Sequence, residues 1–309
     1  MLPEEFKKSI ELCDLNSLLK SKCRFVVEGN KVIDQEKVEG VEVISEETEK
    51  GVNVELKIKK NVKLSEPIFL CFGLSGSHGE QIIIPQVEFE EGAEAELISH
   101  CTFSKAIDAS HEMGAQFKIG KNAKMRYNEF HYHGDDSGMK VIPKIKVDVA
   151  EGGEFVTSFN LSNGTIGKTS IELEVHLAKN ARTEIETKVL GRNEKDHIEI
   201  VDKVYLEGEN SRSLIKMRAA AKSGGTVLMQ GETYAMAAGC IGHVDCQEIL
   251  FGEGSVARAV PIVEVRNDQA RVTHEASVGK INQKELETLM TRGLSEEEAS
   301  ELIINSLLK

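Results

Sequence analysis

Tryptophan is absent from this chain and aromatic residues make up only 5% of it, so a carbohydrate-binding solenoid with ladders of exposed rings has little to build on. Prolines number five (Pro3, Pro67, Pro85, Pro143, Pro261) and no Ser/Pro-rich linker occurs, which argues against division into independent globular domains. No stretch approaches the ~20 apolar residues of a membrane span. Met1 to Lys20 also lacks a basic segment followed by an apolar core, so the expectation is a cytoplasmic protein with no membrane partner. Basic residues are in deficit, 38 against 51 acidic, and the net charge of −13 repels phosphate backbones and excludes a nucleic-acid surface. Six cysteines (Cys13, Cys23, Cys71, Cys101, Cys240, Cys246) lack a disulfide-framework rhythm, which fits free thiols and leaves redox or metal chemistry open. The phosphate-loop pattern G-x-x-x-x-G-K-[ST] is missing too. Gly73-Leu74-Ser75-Gly76-Ser77-His78-Gly79 has the glycines without the lysine and hydroxyl, and reads as a mobile loop.

What is present is alternation. Residues 3–20 read as a helix with Phe6, Ile10, Cys13 and Leu18 near one stripe and Glu4 and Glu5 at the positive end of the dipole. From Arg24 to about residue 278 the period becomes that of strands, as in Val52-Asn53-Val54-Glu55-Leu56-Lys57-Ile58 and Ile171-Glu172-Leu173-Glu174-Val175. Strands end in a recurring small turn: Glu91-Gly92-Ala93, Lys121-Asn122-Ala123, Glu151-Gly152-Gly153, Lys179-Asn180-Ala181 and Glu209-Asn210-Ser211. The residues after the turn, 93, 123, 153, 181 and 211, differ by 30, 30, 28 and 30, with Gly254-Ser255 as a continuation after an insertion. Such a period predicts a mainly β solenoid of stacked coils, against a β-sandwich with similar turns. Glycine and asparagine at the turns tolerate positive φ.

The end of the chain is helical again. Asn282-Gln283-Lys284-Glu285 caps a short helix bearing Leu286, Leu289 and Met290, and Gly293 stands where a terminating positive φ is wanted. Ser295 and Glu298 form a capping box for a second helix with Ala299, Leu302, Ile303 and Leu307 on its apolar face. Two roles are open for this pair: capping the exposed end of the stack, or capping it and docking a partner. The organisation is then 1–23 helical, 24–280 β core and 281–309 helical cap and docking segment.

Val272-Thr273-His274-Glu275-Ala276-Ser277-Val278-Gly279-Lys280-Ile281, then Leu289-Met290-Thr291-Arg292-Gly293-Leu294-Ser295-Glu296-Glu297-Glu298-Ala299, resembles the C-terminal signature of the SufB/SufD family of iron–sulfur assembly proteins. Asp245-Cys246, Ile249-Leu250-Phe251-Gly252 and Val260-Pro261-Ile262-Val263-Glu264-Val265 resemble the same family's final coils. The resemblance implies a right-handed parallel β-helix that pairs through its C-terminal coils and acts as a scaffold, with no catalysis of its own. It implies that Leu286, Leu289, Met290, Arg292, Gly293, Leu294, Ser295, Glu298 and Leu302 dock a SufC-type ABC ATPase. It also implies a transient iron–sulfur cluster fed by a sulfur donor and passed to apoproteins, with reduced flavin in the complex as a family expectation. Cys246 matches the cluster-holding thiolate, and His274 and Glu275 match companion ligands. A carboxylate such as Glu275 is a harder ligand than sulfur and would keep the cluster releasable. The longer N-terminal region of many SufB-type members, with its cysteine motif, has no counterpart here, since Cys13 and Cys23 lie too far apart. The chain therefore reads as a compact SufB-like protein, paired with itself in place of a SufD-like paralogue.

Strand parity complicates the ligand set. Arg271, Thr273, Glu275 and Ser277 share one face, and Val272, His274, Ala276 and Val278 the other, so His274 is either core-facing or serves a site completed by a second subunit. Cys240, His243 and Cys246 are evenly spaced, but His243 points away from both cysteines and no zinc hook results. His131 and His133, beside Gly134-Asp135-Asp136-Ser137-Gly138, share a strand face. For want of a third convergent ligand, they read as decoration of an exposed edge. The competing classes are a metal-dependent enzyme on a β-solenoid and a purely structural or interaction protein.

Overall fold

The computed structural model describes residues 3–16, 21–36, 38–134 and 138–308. Its strands begin where the alternation begins: β1 (Arg24–Glu28), β2 (Lys31–Gln35), β3 (Val41–Glu47), β4 (Gly51–Ile58), β5 (Ile68–Gly73) and β6 (His78–Phe89). The run continues with β7 (Glu94–Phe103), β8 (Asp108–Ile119), β9 (Lys124–His133), β10 (Lys140–Val149), β11 (Glu154–Asn163), β12 (Lys168–Leu177) and β13 (Arg182–Gly191). It closes with β14 (His197–Leu206), β15 (Arg212–Lys222), β16 (Thr226–Ala235), β17 (Ile241–Phe251), β18 (Val256–Val265) and β19 (Arg271–Lys280). Helix α1 (Glu4–Leu12) precedes them, and α2 (Gln283–Met290) and α3 (Glu296–Leu308) follow.

From β4 onward successive strands alternate between two sheets, and each pairs in parallel with the strand one coil away, as in β7 with β9 and β10 with β12. The sheets run β19-β17-β15-β13-β11-β9-β7-β5-β1-β2 and β18-β16-β14-β12-β10-β8-β6-β4-β3, and the chain is a parallel β-solenoid of about eight turns. Antiparallel pairing is confined to the first end, between β1 and β2 and between β3 and β4. Along each strand alternate residues enter the core; in β12 Ile171, Leu173 and Val175 are buried while Glu172 and Glu174 face outward.

The repeat found in the sequence is one corner of this coil. Asn61, Gly92, Asn122, Gly152, Asn180, Asn210 and Gly239 all have left-handed backbones, with φ between 55° and 71°. The amide of each of the first six donates to a carbonyl of the next coil, for example Asn122 to Glu151 at 3.1 Å and Gly152 to Lys179 at 2.9 Å. The corner therefore continues at Gly239 with no insertion. Gly254 lies on the opposite corner, above Gly224, so the expected continuation at Gly254-Ser255 belongs to the other turn. At Gly152 a Cβ would stand 2.4 Å from Asn122 Oδ1. Gly152→Ala is expected to lose about 1–2 kcal/mol from the left-handed backbone alone. A urea-unfolding midpoint equal to wild type would contradict this account of the ladder.

The helices cover the outer face of the ten-stranded sheet. Phe6 and Ile10 of α1 pack on Val26, Phe69 and Cys71. This helix is shorter than the expected 3–20: it stops at Leu12, Cys13 caps it, and Asp14 turns left-handed at φ 57°. Leu18 of the expected stripe lies outside the described residues. At the other end Asn282 Oδ1 accepts from the amides of Lys284 (2.9 Å) and Glu285 (3.4 Å), and Ser295 and Glu298 close the capping box at 2.8 and 3.2 Å. Leu286, Ala299, Ile304 and Leu308 pack against Leu190 and Ala220. Arg192 reaches Glu301 at 3.0 Å, and Lys222 binds both Glu297 and Glu301.

Two expectations for this segment are corrected. The buried stripe of α3 is Ala299, Ser300, Ile304 and Leu308, which leaves Leu302 exposed, because the helix meets the side of the sheet and not its end. For the same reason the pair does not cap the stack, and the last coil, β18 and β19, is open: Val265 and Val278, which share the inward parity of their strands, are 46% and 47% exposed. Among the described residues no helix is long and apolar enough to cross a membrane.

Candidate functional site

Strand β17 lies between β15 and the edge strand β19, and its register places each residue of interest. Val244 sits between Ile215 and His274, Asp245 between Lys216 and Glu275, Cys246 between Met217 and Ala276, and Glu248 between Ala219 and Val278. Even-numbered side chains of β17 point inward, so Cys246 is 1% exposed, roofed only by the last coil. Burial pushes its thiol up to about 12, with the carboxylates of Glu248, Asp245 and Asp202 acting the same way and Arg218 opposing them. At neutral pH the resting group is a thiol.

Around it the interior is acidic. Glu248 is 1% exposed, neither of its carboxylate oxygens has a hydrogen-bond partner, and burial raises its carboxyl to about 7. Asp202 of β14 is likewise raised to about 7 by burial, against the Thr187 hydroxyl, which donates to its Oδ2 at 2.9 Å. Arg218 lies outside the coil. Its guanidinium donates to the Asp245 carboxylate at 2.5 Å and to the Asp245 and Met217 carbonyls at 3.0 and 3.1 Å.

The other two expected ligands stand on β19. His274 shares the inward parity of Cys246 but is exposed, because no further coil covers it; Glu275 points outward beside Asp245. Within one chain Cys246, His274 and Glu275 therefore do not converge. His243 turns away from both cysteines and bonds Thr273 Oγ1 at 2.8 Å, and Cys240 is buried against Ser211 Oγ at 3.3 Å, as parity predicts. Of the expected docking residues, Leu286 is buried against the sheet, whereas Met290 and Leu302 are 40% and 51% exposed.

The sequence model of the SUF system FeS cluster assembly SufBD core domain matches residues 76–307, well over half of the chain. The chain belongs to the SufBD family. It is 39% identical over 285 residues to an iron–sulfur cluster assembly SufBD family protein of Methanocaldococcus jannaschii, covering 92% of this chain and 90% of that one. A Pyrococcus horikoshii protein of the same description is 35% identical over 283 residues, 92% of this chain and 86% of that one. One from Archaeoglobus fulgidus is 30% identical over 247 residues, 80% of this chain and 65% of that one.

Two features of this SufBD protein escape a reading of its sequence. Glu248 was legible as the i+2 neighbour of Cys246 on the same strand face, but nothing in the sequence reports that its oxygens lack partners. His131 and His133 do not decorate an exposed edge: they are 1% and 0% exposed, on the inner face of β9 with Met125, Tyr127 and Glu129. The acidic turn residues Asp135, Asp136 and Ser137 lie outside the described residues. The repeat itself held the missing signal. One coil is 30 residues here, and Cys101 pairs directly with His131.

Proposed function

We propose that this SufBD protein is the cluster-holding scaffold of a SUF-type assembly complex, in which Cys246 and companions on β19 hold a nascent iron–sulfur cluster where two subunits meet. The observation that carries the reading is the open last coil, which presents apolar side chains and two unpaired strand edges directly over Cys246. An edge of this kind is a template for pairing with another chain. Pairing with a second copy, or with a SufD-like paralogue, would cover His274 and offer it, or Glu275, to the partner's thiol. A thiolate with a carboxylate and an imidazole suits iron, and the mixed donors hold it less firmly than four thiolates would.

In this reading residues 24–280 are the scaffold, and α2 and α3 within 281–309 dock a SufC-type ATPase through Met290, Leu302 and the Arg292-Gly293-Leu294-Ser295 turn. Their own sheet takes the opposite face of α3. ATP chemistry belongs to that partner, the scaffold works in the cytoplasm, and the sulfur donor, reduced flavin and recipient apoproteins come from outside this chain. Anaerobic co-expression with the ATPase tests both halves. The wild-type complex is expected to carry iron, sulfide and a visible absorbance band, and Cys246→Ser to lose all three. A chain ending before Asn282 is expected to lose the ATPase. An undiminished band in Cys246→Ser overturns the cluster assignment, and retention of the ATPase by the shortened chain overturns the docking assignment.

A further inference from the structure

Several coils away from Cys246, the interior at β7, β8 and β9 changes character. The neighbouring levels are apolar, with Leu70 and Phe72 on one side and Phe159 and Leu161 on the other. Between them lie Cys101, His111, Glu129, His131 and His133, none more than 2% exposed. One donor atom each from Cys101, Glu129 and His131 lies within 4.8 Å of the other two. His111 approaches from the opposite sheet, its Nε2 3.8 Å from Cys101 Sγ.

The surrounding hydrogen bonds orient these groups. Gln81 Nε2 donates to the carbonyls of Gly29 (2.9 Å) and Gly73 (3.0 Å), so Gln81 Oε1 is an acceptor, and it lies 3.0 Å from His111 Nδ1. His111 therefore carries its proton on Nδ1 and turns the Nε2 lone pair toward Cys101. The Tyr127 hydroxyl donates to Glu129 Oε2 at 3.0 Å, and Oε1 turns to His131 Nε2 at 2.8 Å. His133 Nε2 lies 3.5 Å from His131 Nδ1 and can accept from it. Phe103 and Phe159 pack against the imidazoles of His111 and His131, with centroids 5.0 and 5.2 Å apart, and keep the site dry.

We propose that Cys101, His111, Glu129 and His131 form a four-coordinate centre for a divalent first-row cation, zinc or ferrous iron, inside the solenoid. The donor set of one sulfur, two imidazole nitrogens and one carboxylate oxygen is that of tetrahedral zinc or ferrous sites. Charge balance favours it. Binding releases the Cys101 thiol proton, the His131 proton moves from Nε2 to Nδ1 to face His133, and thiolate, carboxylate and dication sum to zero. No ligand of this centre belongs to the last coil, so it does not depend on the cluster reading.

The test uses the full chain carrying Cys246→Ser, stripped of metal and titrated anaerobically with cobalt(II). One equivalent is expected to bind, with a sulfur-to-cobalt charge-transfer band and the strong visible bands of a tetrahedral ion, both erased by zinc(II). Adding Cys101→Ser is expected to abolish the charge-transfer band, and His131→Gln to weaken binding on the order of 100-fold. Gln81→Leu, acting only through His111, is expected to weaken it about 10-fold or more with the band retained. Circular dichroism shows whether each variant is folded. If Cys101→Ser is not, X-ray absorption of the cobalt in the Cys246→Ser chain decides. One sulfur among three lighter scatterers supports the centre, and a sulfur-free shell overturns it. A charge-transfer band that survives in folded Cys101→Ser, or no cobalt bound, overturns it as well.

Discussion

Phe117→Ala is expected to lower stability by about 3–5 kcal/mol, as large aromatic truncations in closed cores do. Phe117 is 2% exposed on the inner face of β8, meeting Tyr127 edge-on at 5.2 Å and Phe155 at 6.3 Å. These rings belong to strands of both sheets, so the cavity left behind cannot close without moving one sheet against the other. Because each coil contacts only its neighbours, the loss falls on the middle of the stack, which the end helices do not support. Urea unfolding followed by circular dichroism measures it. A midpoint within error of wild type would mean that the interior collapses around the vacancy, contrary to the packing described above.

The second large effect concerns acid. Asp202 and Glu248 are neutralised near pH 7 in the folded chain, against ordinary values of 3.8 and 4.5. Between those limits the folded chain holds protons that the unfolded chain has lost. Stability is therefore greatest below about pH 4 as far as these two groups are concerned, falls as pH rises, and levels off above about pH 7. Each group contributes on the order of 3 kcal/mol to this fall. The groups that face them set the limits of the effect: the Thr187 hydroxyl favours ionised Asp202, while Cys246 is held as a thiol by burial first and by the two carboxylates second. Asp202→Asn, which can still accept from Thr187, and Glu248→Met, which removes two unpartnered oxygens, are expected to be more stable than wild type at about pH 8 by roughly 2–4 kcal/mol. At about pH 5 the difference should be clearly smaller, and it should fall further toward about pH 4. Thermal melts at the two pH values check this, and equal differences at both would show that neither carboxyl titrates as described.

Much of the coil was legible because its corner is chemically narrow. Left-handed backbone admits glycine and asparagine readily, so Gly92, Asn122, Gly152, Asn180 and Asn210 announce the period. Gly239 went unread because cysteine follows it in place of alanine, glycine or serine, while Gly254-Ser255 imitates the motif from the opposite corner. Parity on a strand is equally local, and it placed His243, His274 and Glu275 on their faces. What no single strand reveals is which face is inside at a given level: His131 and His133 pass for surface residues until Met125 and Tyr127 are seen to point the same way. Contacts across the coil, such as His111 with Cys101, depend on how two sheets meet and have no signature along the chain. The course of α2 and α3 along the side of the solenoid, and not over its end, likewise depends on Leu190 and Ala220, about 100 and 80 residues before them in the chain.

The open last coil has a dynamic consequence. In a stack whose stability is a sum of coil terms and nearest-neighbour interfaces, a terminal coil is held by one interface and every inner coil by two. β18 and β19 therefore belong to the least protected cooperative unit at this end, separating from β16 and β17 at a lower free energy than that of global unfolding. They form the roof over Cys246. Fraying of one terminal coil bares the thiol to water and lets its proton leave. Access to Cys246 is thus set by the local opening of this coil and not by the global stability of the solenoid.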